Sequence, residues 1–287
     1  RAFGEDVVPV TYDDLDAADL ILLVGSNTTW CHPVIWQRIE AARDRRGTKI
    51  VVIDPRRTET AEQADLHVPV LPDGDVALFN ALGVEMARRG LAEYELTDGD
   101  PGIDADIFSQ LADLVASHPK MVTVFSMGAN QSVAGTDKGN AIINLHLATG
   151  RINAPGMGPF SMTGQPNAMG GREVGGLANM LACHLGFSDA ERADVAAFWQ
   201  TPRLCERPGL KAVDLFRAVH DGRVKFLWVM ATNPAVSMPD TGFVREALAR
   251  CQTLVVSDVL AHTDTAGFAH VRLPALAWGE KDGTVTN

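Results

Sequence analysis

A six-residue pattern that occurs twice constrains the fold of this chain more than any other feature. Leu22-Leu-Val-Gly-Ser-Asn27 aligns with Trp228-Val-Met-Ala-Thr-Asn233 as apolar strand, small residue, hydroxyl, Asn. Each copy is followed by helical spacing and then by a second apolar run ending in Asp. The two Asp residues, Asp54 and Asp258, lie 27 and 25 residues beyond the Asn. Thr-Ala comes next in both copies (Thr60-Ala61, Thr265-Ala266), then His-Val (His67-Val68, His270-Val271). A shared order at nearly equal spacing reads as duplicated architecture.

Each copy has the pattern of a βαβ unit. Residues 19–24 and 49–53 are continuous apolar runs of the kind buried on both faces of a parallel sheet. Between them, residues 33–46 place Val34, Ile35, Ile39 and Ala42 at helical spacing, with a basic end that suits the helix dipole and Gly47 as a stop. A short strand over 67–70 leads through Pro72-Asp-Gly-Asp75 into a helix over 76–89. Farther on come a strand at 121–125, a helix over 138–148, and a loop from Gly150 to Gly176 holding eight glycines. A loop that long is usually functional. Helical spacing over 177–185 and a polar segment with Pro202 and Pro208 follow. The chain then returns to βαβ, with strands at 224–230 and 253–256 and a helix over 242–250. The expected class is α/β: two Rossmann-like parallel-sheet halves related by an approximate internal repeat, residues 1–118 and 119–287.

Composition narrows the function. At 287 residues, 46% hydrophobic and 21% charged, the chain is expected to form two folded domains rather than a disordered segment. Its longest apolar runs are strand-sized, so no membrane span is expected. A net charge of −11 argues against a nucleic-acid partner. Cys31, Cys183, Cys205 and Cys251 are scattered without a C-x-x-C pair, which excludes a cluster or structural zinc built from this chain alone and favours a reducing, cytoplasmic location. There is no signal-peptide pattern.

In open parallel sheets ligands sit at the carboxyl ends of the strands, where small residues let backbone N–H groups approach a diphosphate and an Asp after the next strand accepts from a ribose or base edge. One Gly-Ser-Asn is a weak signal and fits a plain turn equally well. Two copies point to two nucleotide-bearing groups, one per half. No G-x-G-x-x-G follows any expected strand, against a plain nicotinamide site.

Several further segments, in order, carry a resemblance. They are Gly25-Ser-Asn27, Asp54-Pro-Arg56, Pro72-Asp-Gly-Asp75, Met127-Gly-Ala-Asn-Gln131, Asn144-Leu-His-Leu-Ala-Thr-Gly150, Gly164-Gln-Pro-Asn-Ala-Met-Gly-Gly-Arg-Glu-Val-Gly175, Asn233-Pro234 and Trp278-Gly-Glu-Lys-Asp-Gly-Thr284. Together they resemble the molybdopterin oxidoreductases of the dimethyl-sulfoxide-reductase type over essentially the whole chain. The Gly164 segment, with Trp30-Cys-His-Pro33, is most similar to the assimilatory nitrate reductase branch. The resemblance implies a molybdenum bis(molybdopterin guanine dinucleotide) cofactor. It implies first-site contacts at Gly25, Ser26, Asn27, Thr28, Asp54, Pro55 and Arg56, with Asp75 accepting from a guanine edge. Pterin-side contacts at Met127 and Gln131 follow from it, as do second-site contacts at Asn233, Ser257, Asp258 and Lys281. Arg172 is implied to guide the anionic substrate, nitrate, with Gln165 and Asn167 lining the same path. Blander readings stand beside these: Asp75 as a helix N-cap, and Arg172 as an ion-pair partner of Glu173 or of a surface acid.

The implied reaction in a complete protein is two-electron reduction of nitrate to nitrite by oxygen-atom transfer at molybdenum, with electrons from a donor protein or domain. Family members also carry an N-terminal 4Fe–4S cysteine set, a protein ligand to molybdenum and a C-terminal domain. None is recognisable here, so this chain is expected to be a central portion, incompetent alone. The alternatives are a formate dehydrogenase of the same family and a cofactor-free structural relative, such as the large iron–sulfur subunit of respiratory complex I. Buried Asn and Asp at both repeats count against the last. Cys31 is expected to be a small buried hydrophobe and Cys31-His32 no metal pair. His67 and His270 are expected to be satisfied by hydrogen bonds, Met157, Met162 and Met169 to pack, and the acidic stretch 98–106 to be a solvated turn rather than a calcium loop.

Overall fold

The computed structural model describes residues 8–94, 100–165 and 167–285. The chain divides into two compact units, Arg1–Gly164 and Gln165–Asn287.

The first unit is built on a five-stranded parallel sheet: β1 (Leu20–Val24), β2 (Lys49–Ile53), β3 (Leu66–Val68), β4 (Met121–Phe125) and β5 (Gly158–Ser161), in the order β3-β2-β1-β4-β5. Alternation along the strands sorts their side chains to two buried faces. Leu20, Leu22, Val24, Val51 and Ile53 pack with Leu78, Phe79 and Leu82 of the helix Asp75–Arg88, with Leu111 and Val115 of Ala105–Ser117, and with Ile142 and Leu145 of Gly135–Ala148. Ile21, Leu23, Ile50, Val52, Val122 and Val124 face the other way, onto Trp36 and Ile39 of Pro33–Arg46. That helix ends at Gly47 (φ +75°) after Arg43, Arg45 and Arg46, as its sequence predicts.

The expected division at 118/119 lies inside this unit. β4 pairs with β1 in register, Val24 opposite Phe125, so it extends the first sheet instead of starting a second. Strand order therefore reverses between β1 and β4, and the carboxyl ends of these two strands form the switch point of the sheet.

The second unit holds three parallel strands, β6 (Phe226–Met230), β7 (Thr253–Asp258) and β8 (Val271–Pro274), ordered β6-β7-β8. They reproduce β1-β2-β3, and the parallel α/β duplication is present as expected. Leu227, Val229, Leu254 and Val256 pack on Phe216 and Val219 of Ala212–His220 and on Val244 and Leu248 of Thr241–Arg250. On the opposite side Phe226, Trp228, Met230, Val271 and Leu273 are exposed, Met230 by 60%.

Three expectations change. Residues 177–185 form turns, not a helix, because Cys183 (φ +45°) and His184 (φ +65°) are left-handed. The polar segment after them contains the helix Asp189–Trp199, started by a capping box in which Glu191 returns to Ser188. The His-Val match is out of register. Val68 pairs with Ile53 whereas Val271 pairs with Val255, so the residue equivalent to His67 is Arg272.

Candidate functional site

Both units form the same turn where the repeat begins. Gly25 and Ala231 each adopt φ +54° directly after the strand, and each donates its N–H to the neighbouring strand, at Ile53 O and Ser257 O (both 2.9 Å). A left-handed alanine costs of order 1–2 kcal/mol, so the second copy holds the geometry without the residue that suits it best. Two residues on, the Asn is latched. Thr60 Oγ1 donates to Asn27 Oδ1 at 2.8 Å, and Thr265 Oγ1 donates to Asn233 Oδ1 at 2.7 Å. Each Thr also accepts from the backbone N–H two residues past its Asn, Thr29 and Ala235, at 3.1 Å. Asp54 Oδ1 accepts from Arg56 N–H (2.9 Å) and Asp258 Oδ1 from Leu260 N–H (3.1 Å).

In the first unit these parts surround a cleft of about 400 Å³, lined by Gly25, Ile53, Asp54, Pro55, Arg56, Pro72, Asp73, Asp75, Gly128, Ser132 and Lys138. Its floor is bare backbone. A Cβ on Gly25 would sit 2.6 Å from the Ala129 nitrogen, and one on Gly128 would sit 2.7 Å from Gly25 Cα. Both residues must be glycine for β1 and β4 to meet this closely.

One wall carries a charge cluster that the sequence reading missed. Lys138, 2% exposed, places Nζ 2.8 Å from Asp73 Oδ1 and 2.9 Å from Asp75 Oδ2. Burial disfavours its charge, but the hydrogen bonds and charges of Asp73 and Asp75 outweigh that and hold its pKa above the ordinary lysine value. The same hydrogen bond from Lys138 lowers the Asp73 pKa. Asp75 is the first residue of its helix, with Gly74 at the N-cap, so it is not the cap.

Of the expected first-site residues, Gly25, Asp54, Pro55, Arg56 and Asp75 line this cleft. Asn27 stands behind them in its latch. Ser26 and Thr28 are buried, their hydroxyls 3.0 Å apart. Met127 and Gln131, expected in the second half, begin and follow the turn Met127–Asn130 after β4 in the first unit.

In the second unit Asp258 lines a recess of about 260 Å³ with Leu260, His262, Arg272 and Pro274. Ser257 accepts from Trp228 Nε1 at 2.9 Å, and Lys281 is exposed. Asn167, left-handed at φ +62°, caps the short helix Ala168–Glu173. Its Oδ1 would meet a Cβ on Gly170 at 2.1 Å, so a side chain there would displace the Asn167 amide. Half-buried Arg172 donates to Met169 Sδ at 3.6 Å, and Gln165 is exposed.

The remaining residues behave locally. His67 Nε2 lies 2.9 Å from Asp54 O, and His270 Nδ1 accepts from Leu254 N–H at 3.0 Å. Met162 is buried, but Met169 is 39% exposed. Cys31 is exposed, contrary to expectation, because it ends the one-turn helix Thr28–Cys31 on its outer side. Asp98 lies outside the described residues; Asp100 and Asp104 accept from nearby backbone N–H groups. Among the described residues no helix is long and apolar enough to cross a membrane.

The family model for molybdopterin oxidoreductases matches residues 3–287. Over the full chain it is 49% identical to a nitrate reductase of Klebsiella oxytoca and 46% identical to one of Shewanella frigidimarina, covering 35% and 33% of those proteins. It is also 34% identical to the F420-dependent formate dehydrogenase subunit alpha of Methanocaldococcus jannaschii, covering 45% of it. The chain thus spans about a third to under a half of the length of these relatives. Acetylene hydratase from Pelobacter acetylenicus superposes with a TM-score of 0.61 at 16% identity, over 92% of this chain and 43% of that one, a likeness of fold alone.

Proposed function

Because this chain belongs to the molybdopterin oxidoreductase family, we propose that it is the bis(molybdopterin guanine dinucleotide)-binding portion of a molybdenum oxidoreductase, specifically a nitrate reductase. The carrying observation is that the left-handed turn, the Asn–Thr latch and the Asp that follows recur at the same strand ends in both units. Two equivalent cradles suit a cofactor made of two like halves. Gly25 and Gly128 let the turns after β1 and β4 close on each other, since a Cβ at either position would strike the facing backbone, and that close approach leaves main chain along the cleft they line.

On this reading Gly25, Asp54, Pro55, Arg56 and Asp75 hold one nucleotide end, with Asn27, Ser26 and Thr28 shaping the turn. Asn233, Ser257, Asp258 and Lys281 serve the other, and Met127 and Gln131 lie on the pterin side. When bound, the cofactor supplies a molybdenum centre able to exchange an oxygen atom and two electrons. The chain's own contribution is to orient it and to present the Arg172 guanidinium to an oxyanion, with Gln165 and Asn167 as neutral hydrogen-bonding neighbours. Electrons come from a donor protein or domain outside the chain, so the chain alone turns over no nitrate. Four free cysteines, three of them exposed, favour the reducing cytoplasm.

Formate oxidation is the second reading, supported by the 34% identical relative. The 49% identity to a nitrate reductase favours nitrate. Titration of the purified chain with GDP tests the binding claim. Two sites are expected, one lost in Asp75→Ala and the other in Asp258→Ala; one site or none overturns the two-cradle reading. In the longer polypeptide, viologen-driven nitrate reduction that falls in Arg172→Ala supports the substrate assignment, and formate oxidation in its place refutes it.

A further inference from the structure

We propose that Lys138 joins Asp75 at the base-reading edge of the first cleft, as the donor to the O6 oxygen of the guanine. This rests on the reading above that the cleft takes a nucleotide end.

Lys138 stands in the first turn of Gly135–Ala148, where a cation meets the positive end of the helix dipole, and it is buried as well. Both terms disfavour an ammonium there. Asp73 and Asp75, each within 2.9 Å of Nζ, offset them. A phosphate-binding role fits poorly, because an anion brought to Nζ would meet two carboxylates. Arg56, exposed at the rim, is the better phosphate partner.

The ammonium carries three N–H groups. The two carboxylates take two of them, and the third is left for whatever enters the cleft that Lys138 lines. Asp75 turns Oδ2 to Lys138 and keeps Oδ1 as an acceptor. Read across, the wall offers a donor beside a carboxylate acceptor. Guanine presents the matching series, an O6 acceptor beside the N1–H and N2–H donors. Adenine reverses it, with a 6-amino donor beside an N1 acceptor, and cytosine does the same with its 4-amine and N3. Hypoxanthine keeps O6 and N1–H but lacks the 2-amine.

The test is titration of the whole chain with GDP, IDP, 6-thio-GDP and ADP, read at the site that Asp75→Ala abolishes. IDP drops the 2-amine that faces Asp75, whereas 6-thio-GDP weakens only the acceptor that faces Lys138. Each is expected to bind roughly tenfold more weakly than GDP, and ADP more weakly than either. Lys138→Met should erase the difference between GDP and 6-thio-GDP while keeping that between GDP and IDP, and Lys138→Arg should restore part of it. A Lys138 with only a structural role would weaken all four ligands alike in Lys138→Met and leave every ratio unchanged, which overturns the assignment. If Lys138→Met does not fold, the wild-type comparison decides: equal affinity for GDP and 6-thio-GDP removes Lys138 from the edge. Absence of any nucleotide binding would instead refute the proposed function itself.

Discussion

Thr60 Oγ1 donates to Asn27 Oδ1 at 2.8 Å across 33 residues of sequence, and that one bond ties the turn after β1 to the segment after β2. Thr60 is fully buried and also receives the Thr29 N–H, with the Thr29 hydroxyl 3.0 Å from its own. Thr60→Val keeps the shape but takes the acceptor from Thr29 N–H and leaves Asn27 Oδ1 with only the longer bond from Thr29 Oγ1, at 3.2 Å. It should destabilise the first unit by about 1–3 kcal/mol in urea titrations and weaken GDP at the first site, with Thr60→Ser recovering most of both. Unchanged stability in Thr60→Val would show that the latch contributes nothing.

Glycines near the cleft should divide by sign. Gly25→Ala and Gly128→Ala force a methyl to within 2.7 Å of backbone and should cost at least about 1–3 kcal/mol. Gly139 lies inside Gly135–Ala148, where an added Cβ meets only Phe125 at 3.8 Å. Gly139→Ala should therefore stabilise by about 0.5–1 kcal/mol. Denaturation midpoints of the three variants check both directions.

His146 is fully buried, between Thr123 Oγ1 (2.8 Å) and Arg151 O (2.9 Å), and burial lowers its pKa to about 4. The unfolded chain, with a pKa near 6.5, binds the proton more readily than the folded one between these values. Stability should accordingly be full above about pH 6.5, fall as pH drops towards 4 by roughly 3 kcal/mol from this group, and level off below. His146→Gln should lose that part of the slope; a slope equal to wild type would exclude His146 as its source.

The outward face of the β6-β7-β8 sheet shows Phe226, Trp228, Met230, Val271 and Leu273 to solvent. A contiguous apolar face of this kind promotes association. Light scattering of the purified chain should show concentration-dependent self-association, reduced by Phe226→Ser with Met230→Thr. A strictly monomeric wild type at high concentration would contradict this.

Strand ends and the helix Pro33–Arg46 are legible because their signals are local, whereas the short helix Tyr12–Ala17 before β1 is not among the expected elements. Apolar runs mark β1, β2 and β4, the first between Asp19 and Gly25 and the second ending at Asp54, and Pro33 and Gly47 bracket the helix between β1 and β2. The unit boundary was not legible, since nothing near Met121 states that it pairs with β1 rather than opening a new sheet. Lys138 is illegible for a related reason. A lysine in a helical pattern reads as solvent-facing, and its burial depends on Asp73 and Asp75, far away in the chain. The helix Asp189–Trp199 is different: Ser188 and Glu191 mark its start locally, and the prolines at 202 and 208 bear only on the segment after it.

The twin latches have a practical consequence. Thr265 and Asn233 repeat the bond of Thr60 and Asn27 in a separate sheet, so the same substitution made at either place has an untouched counterpart in the same molecule. Whatever Thr265→Val does beyond what Thr60→Val does must come from the surroundings of the bond and not from the bond. The protein thereby carries an internal standard against which each half can be calibrated.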